Sequence, residues 1–147
     1  LCSCFGRFRR FPYTDDRMMK GEFERQAMNF GIQSMVASAM DRSIAYVQDY
    51  RDNVIKDRSF FNILLQIHDA ILLEVPYANV NRVVKEVLPF NMCDRVSIYP
   101  TRLDGIPTGA GPYNLGVDVA VFKNWGEPLT EEFCMSAGLD LEYASAH

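Results

Sequence analysis

Residues 64–76 read LLQIHDAILLEVP, with His68 and Asp69 side by side between two apolar runs rich in branched residues. The flanking stretches, FFNILLQI (60–67) and AILLEV (70–75), have the composition of strands, and only the His-Asp pair separates them. That spacing predicts a tight antiparallel hairpin. Asp suits such a turn because its short side chain bonds local backbone and accepts left-handed geometry, whereas the usual glycine is missing. Turn chemistry therefore accounts for Asp69 and leaves His68 unexplained. Two readings stay open at this point: an ordinary polar turn, or functional groups displayed at a rigid tip.

Upstream of the hairpin, residues 22 to about 50 carry a helical period. Met28, Ile32, Met35, Val36, Ala39, Met40, Ile44 and Val47 recur at steps of mostly three and four, which predicts one apolar stripe interrupted near its start by Gly31. Residues 1–21, punctuated by Gly6, Pro12 and Gly21, read as a helix end and loop. Downstream, YANVNRVVKEVLPF (77–90) places Val80, Val83, Val84, Val87 and Leu88 on one face of a helix expected to end at Pro89. Residues 91–115 read as a long irregular loop, GVDVAVF (116–122) alternates as a strand, and the acidic end suits a short helix. Helix, hairpin, helix and strand predict an α+β fold: an antiparallel sheet with helices packed on one face and the other face free. No internal repeat is present.

At 147 residues and 48% hydrophobic, the chain amounts to one globular domain. It shows no charged-then-apolar leader and no apolar run long enough to cross a bilayer, so a soluble, cytoplasmic protein with no membrane partner is expected. Cys2, Cys4, Cys93 and Cys134 have no CxxC spacing, and His68 and His147 form no zinc-ligand pair, so reduced structural thiols are expected. The net charge of −4 is local: residues 126–147 alone contribute −5, through Glu127, Glu131, Glu132, Asp140 and Glu142. Residues 1–25 carry +2, and GRFRR (6–10) interleaves arginine with phenylalanine. That stretch is either a phosphate-facing edge or a solvated loop.

Two motifs fall in order: ERQAMNFGIQS (24–34) and, some thirty residues on, QIHDAILLEVP (66–76). Together they resemble the C-terminal palm and fingers of DNA polymerase I-type (family A) DNA polymerases, where E-R-x-A-x-N-x-x-x-Q precedes Q-x-H-D-E on a hairpin. LGVDVAVFKNWGEP (115–128) looks like the strand and glycine-tryptophan segment that follow, and CFGRFRR (4–10) is similar to the family's F-G-R-R-R. The resemblance implies a partial palm/fingers segment over residues 1–128, with 129–147 an acidic C-terminal tail.

It also implies template-directed addition of deoxynucleotides to a primer 3′ end with two Mg2+ ions. Asp69 is then one metal-binding aspartate, and His68 lies against the primer end. Two divalent ions need carboxylates on a rigid support, which a hairpin tip supplies. Arg25, Asn29 and Gln33, four apart on a helix, are implied to touch the minor groove, whose acceptors are common to all base pairs; Arg7 joins the DNA-binding set. The implied partners are primer-template DNA, deoxynucleoside triphosphates and the remaining polymerase segment, in cis or as a separate chain, in a bacterial or phage-infected cell.

The sequence departs from that pattern. Ala70 replaces the usual glutamate after the aspartate, Gly31 stands where many members have proline, and Ser38 where they often have aspartate. The family's D-[FY]-S-x-x-E motif and triphosphate-binding helix are not within these residues; Asp140-Leu-Glu142 lacks that motif's spacing and is read as a decoy. A non-catalytic DNA-binding or interaction module derived from a polymerase palm is the alternative, and an unrelated ligand-binding α+β domain a third.

Overall fold

In the computed structural model, residues 1–3, 5–99, 106 and 108–144 are described. Cys4 and His147 lie outside them, as does the middle of the expected 91–115 loop. Helix α1 spans Arg17–Asp49. It starts five residues earlier than its periodicity predicts, because Asp16 caps it: the carboxylate accepts from the Met18 and Met19 N–H groups at 2.8 and 3.4 Å. Gly21, expected to punctuate a loop, and Gly31, expected to interrupt the helix, both sit inside it. Each costs about 1 kcal/mol of propensity relative to alanine, which a helix of this length absorbs. A π-helical turn, Tyr50–Ile55, continues α1 and ends at left-handed Lys56.

The hairpin forms as predicted. Strands β1 (Asn62–Ile67) and β2 (Ala70–Glu74) pair antiparallel, with Ile67 opposite Ala70 and a bulge between Ile63 and Leu65. Helix α2 (Tyr77–Arg82) follows, but the helical path does not end at Pro89. It continues through π-helical turns at Val83–Val87 and Pro89–Asp94. Proline lacks an N–H and crowds the preceding turn; wider turns accommodate it here. Buried Asn91 completes the local bonding: its Nδ2 donates to the Val87 carbonyl at 2.8 Å and its Oδ1 accepts from Arg95 at 3.0 Å. Asn91→Ala is expected to destabilise the chain by about 2 kcal/mol, since it strips a buried carbonyl of that bond. Urea unfolding measures this; an unchanged midpoint would show that the amide is dispensable.

Among the described residues, the single sheet expected from the pattern is replaced by three separate two-stranded ribbons: β1–β2, β3 (Ser97–Ile98) with β4 (Tyr113–Asn114), and β5 (Phe122–Asn124) with β6 (Glu127–Pro128). The chain is still α+β. Among the described residues, the expected strand at 116–122 pairs only from Phe122 onward. Its alternation is nevertheless real, since Val117, Val119 and Val121 turn inward while Asp118 and Ala120 face out. Alternation reports a buried face; a ladder also needs a partner edge.

The main core joins Met40 and Val47 of α1 to Phe60, Phe61, Val83, Val87, Leu88 and Met92. Only the C-terminal half of the predicted α1 stripe reaches it. Met28 and Ile32 are 79% and 66% exposed, and the buried face runs instead through Ser34, Ser38, Ala39, Met40, Ser43 and Val47. A second core gathers Val80, Leu129, Cys134, Leu139 and Tyr143. It fastens the acidic end to α2 through helix α3 (Glu131–Ala137), capped by Thr130, and a 3-10 turn at Leu141–Ala144. Asn81 donates to the Gly138 carbonyl, and the Lys85 ammonium, 2.5 Å from Asp140, has its pKa raised by that carboxylate. Asp140 therefore has a structural partner in Lys85. Cys2, Cys93 and Cys134 are free thiols. Among the described residues no helix is long and apolar enough to cross a membrane.

Candidate functional site

The hairpin tip is a two-residue turn, and its geometry singles out His68. Its φ is +52°, while Asp69 keeps a negative φ. A positive φ at the first turn position is the place where hairpins prefer glycine, because a Cβ there crowds the backbone. His68 thus occupies its position against local preference. Both tip side chains are exposed, and the Gln66 amide donates to the His68 carbonyl at 3.4 Å.

Across from the tip lies α1. A cleft of about 440 Å³ is lined by Ile32, Gln33, Val36 and Ala37 on the helix and by His68 and Asp69 on the turn. The fold therefore brings together Gln33, His68 and Asp69, three of the residues singled out in the sequence. Arg25 and Asn29 lie two turns and one turn before Gln33 on the unbroken α1, exposed but outside the cleft lining.

Arg7 is elsewhere. Its guanidinium pairs with Asp41, and Arg9 donates to Gln26 at 2.7 Å, so the N-terminal arm lies along α1 with part of its charge engaged. Arg42 stacks over Phe5 at 4.3 Å, whereas Phe8 stays exposed. Ile32 and Val36 are the residues whose role the sequence reading missed. Their period placed them in the core stripe, but both line the cleft: Val36, three after Gln33, shares its side of the helix, and Ile32 lies one turn before Val36.

Magnesium takes six oxygen ligands in near-octahedral geometry. The cleft offers one carboxylate, Asp69, followed by Ala70, and among the described residues no three metal-ligating side chains cluster. These residues fit one ligand of a magnesium site; by themselves they do not make one.

The fold and site define an α+β chain that displays an exposed His-Asp turn against a helix. Comparison with curated proteins adds a direction. The chain is 34% identical to DNA polymerase I of Caldicellulosiruptor bescii over 97 residues, 62% of this chain. It is 27% identical to DNA polymerase I A, chloroplastic/mitochondrial, of Arabidopsis thaliana over 131 residues, 85% of this chain, and 27% identical to the I B protein of that plant over 130 residues. The chain spans about a tenth of the length of these relatives, 11% in each case. No family model and no solved structure matches it.

Proposed function

We propose that this chain is a palm and fingers segment of a family A DNA polymerase, working on primer-template DNA and deoxynucleoside triphosphates together with a further polymerase segment in cis or in trans. The observation that carries the reading is the cleft, where Gln33 of one motif meets His68 and Asp69 of another some thirty residues away. The similarity to DNA polymerase I proteins supports it.

In this reading Asp69 supplies one oxygen ligand, and the remaining carboxylates come from the other segment. When bound, Mg2+ would favour the primer hydroxylate and neutralise charge on the triphosphate. Gln33 and Asn29 donate amide hydrogens, and Arg25 guanidinium hydrogens, to minor-groove acceptors present at every base pair, so they grip paired DNA without reading its sequence. His68 holds the primer end from the turn. Arg7 and the N-terminal arm give phosphate contacts with whatever charge Asp41 leaves free.

The test is primer extension by the purified chain, with and without a polypeptide carrying D-[FY]-S-x-x-E and the triphosphate-binding helix. The chain alone is expected to make no product at any magnesium concentration, because one carboxylate does not hold two ions. Its duplex binding should weaken steeply with salt, by roughly one power of salt concentration per phosphate contacted. The added polypeptide is expected to restore synthesis. Binding without restored synthesis would favour the alternative, a non-catalytic DNA-binding module, to which Ala70 and the single cleft carboxylate also point. Neither binding nor synthesis would overturn both.

A further inference from the structure

We infer that Ile32 and Val36 form a sugar-selecting wall, which makes the cleft favour a primer ending in a deoxyribonucleotide over one ending in a ribonucleotide. This rests on the reading of the hairpin tip as the place of the primer end.

The lining of the cleft decides which part of a nucleotide suits it. One side offers the Asp69 carboxylate and the His68 imidazole; the other offers the aliphatic groups of Ile32, Val36 and Ala37 beside the Gln33 amide. Among the described residues no lysine or arginine lines it. A phosphate placed there would meet the Asp69 carboxylate unless a bound Mg2+ offset the repulsion, and the aliphatic groups of Ile32, Val36 and Ala37 would give it no hydrogen bond. A sugar suits both sides: its hydroxyl can donate to Asp69 or bond the imidazole, and its carbon-bearing edge can lie on the aliphatic wall.

The wall is well made for discrimination. Isoleucine and valine are branched at Cβ and hold nearly one χ1 rotamer on a helix, so they do not swing aside for a polar group. Ile32 is 66% exposed on the half of α1 that stands away from the core, so its position there does not come from deep packing. A 2′-hydroxyl pressed against it would lose water and gain no protein partner, since the Gln33 amide is already assigned to a base edge. The turn supports the same reading. His68 sits at a positive φ where glycine would be easier, as expected of a side chain kept for what it does in the cleft.

The test titrates the chain, at low salt, with two primer-template duplexes that differ only in a deoxy or ribo sugar at the primer 3′ end. NMR signals of Ile32, Gln33, Val36, Ala37, His68 and Asp69 report the cleft. The deoxy-ended duplex is expected to move these signals and to bind about tenfold more tightly, within the reach of an apolar pocket facing one added hydroxyl. Ile32→Asn, which gives the wall a polar partner at an exposed position, should bring the two affinities within about threefold of each other, whereas Ile32→Leu should keep the difference. A ribonucleotide placed inside the primer, away from its end, should have no effect. Equal affinities with the cleft signals moving would overturn the sugar wall and leave the polymerase reading standing. Duplex binding that leaves the cleft signals still would remove the primer end from this site. Failure to bind either duplex would overturn the reading on which the inference rests.

Discussion

Asp69→Asn is expected to lower nucleotide incorporation by on the order of a thousandfold in the proposed polymerase, assembled with a segment that carries D-[FY]-S-x-x-E and the triphosphate-binding helix, the scale of losing several kcal/mol of transition-state stabilisation. Primer-template affinity should hardly change. The substitution keeps the volume of the side chain and removes its charge, so it separates the proposed ligand role from turn structure. The fold gives no reason for collateral damage: Asp69 is exposed, and among the described residues it has no ion-pair partner. Rapid-quench primer extension and fluorescence anisotropy with the same duplex supply the two readouts. Incorporation close to that of the unsubstituted enzyme would show that Asp69 is not a ligand. A parallel loss of duplex affinity would point to a disturbed hairpin instead.

The largest expected effect on stability is at Phe61. Its side chain is fully buried in the main core, with its ring edge-on to Phe60 at 6.2 Å and the Arg51 guanidinium 5.8 Å from its centre. The Phe61 carbonyl also accepts from Arg51 at 3.2 Å, while Arg51 bonds Asp52 at 2.9 Å and holds that carboxyl below its usual range. This residue ties the base of the hairpin to the end of α1 and, through Val83 and Val87, to the helical segment after it. Phe61→Ala should cost about 4 kcal/mol, from lost burial plus a cavity that the surrounding helices only partly close. For a chain of this size that lowers Tm by roughly 10 °C or more. Phe8→Ala, on an exposed side chain, should change stability by no more than about 0.5 kcal/mol. Thermal unfolding of the two variants checks the contrast; similar losses would mean that the core is not organised around Phe61.

Much of the candidate site was legible because its parts are local. His68 and Asp69 announce themselves as the only residues between two strand-like runs, and Gln33 belongs to a helix with a clear period. The cleft between them was not legible as geometry. Ile32 and Val36 fit the same period as Met40 and Val47, and only the position of the core separates two residues that line a cleft from two that are buried. Arg7 read as part of either a phosphate-facing edge or a solvated loop, and its partner Asp41 lies far along the chain, where composition gives no signal. The single sheet failed for a related reason. Strand-like alternation at 116–122 reflects valines seeking two different cores, with no ladder partner among the described residues for most of its length.

By itself the sequence determined those elements whose energetics are settled within a few residues. A two-residue turn between apolar runs was read directly, and the Asp16 cap of α1 and the left-handed Gly138 that closes α3, though not read in advance, likewise follow from backbone bonding and sterics between near neighbours. The tertiary structure decided which half of α1 is buried, how the helical path passes Pro89, and that Gln33 faces the hairpin tip across a cleft. These outcomes depend on burial and pairing, whose free energies come from partners distant in the chain. A local period shows which side of an element is apolar, but only the packed neighbour determines whether that side is covered.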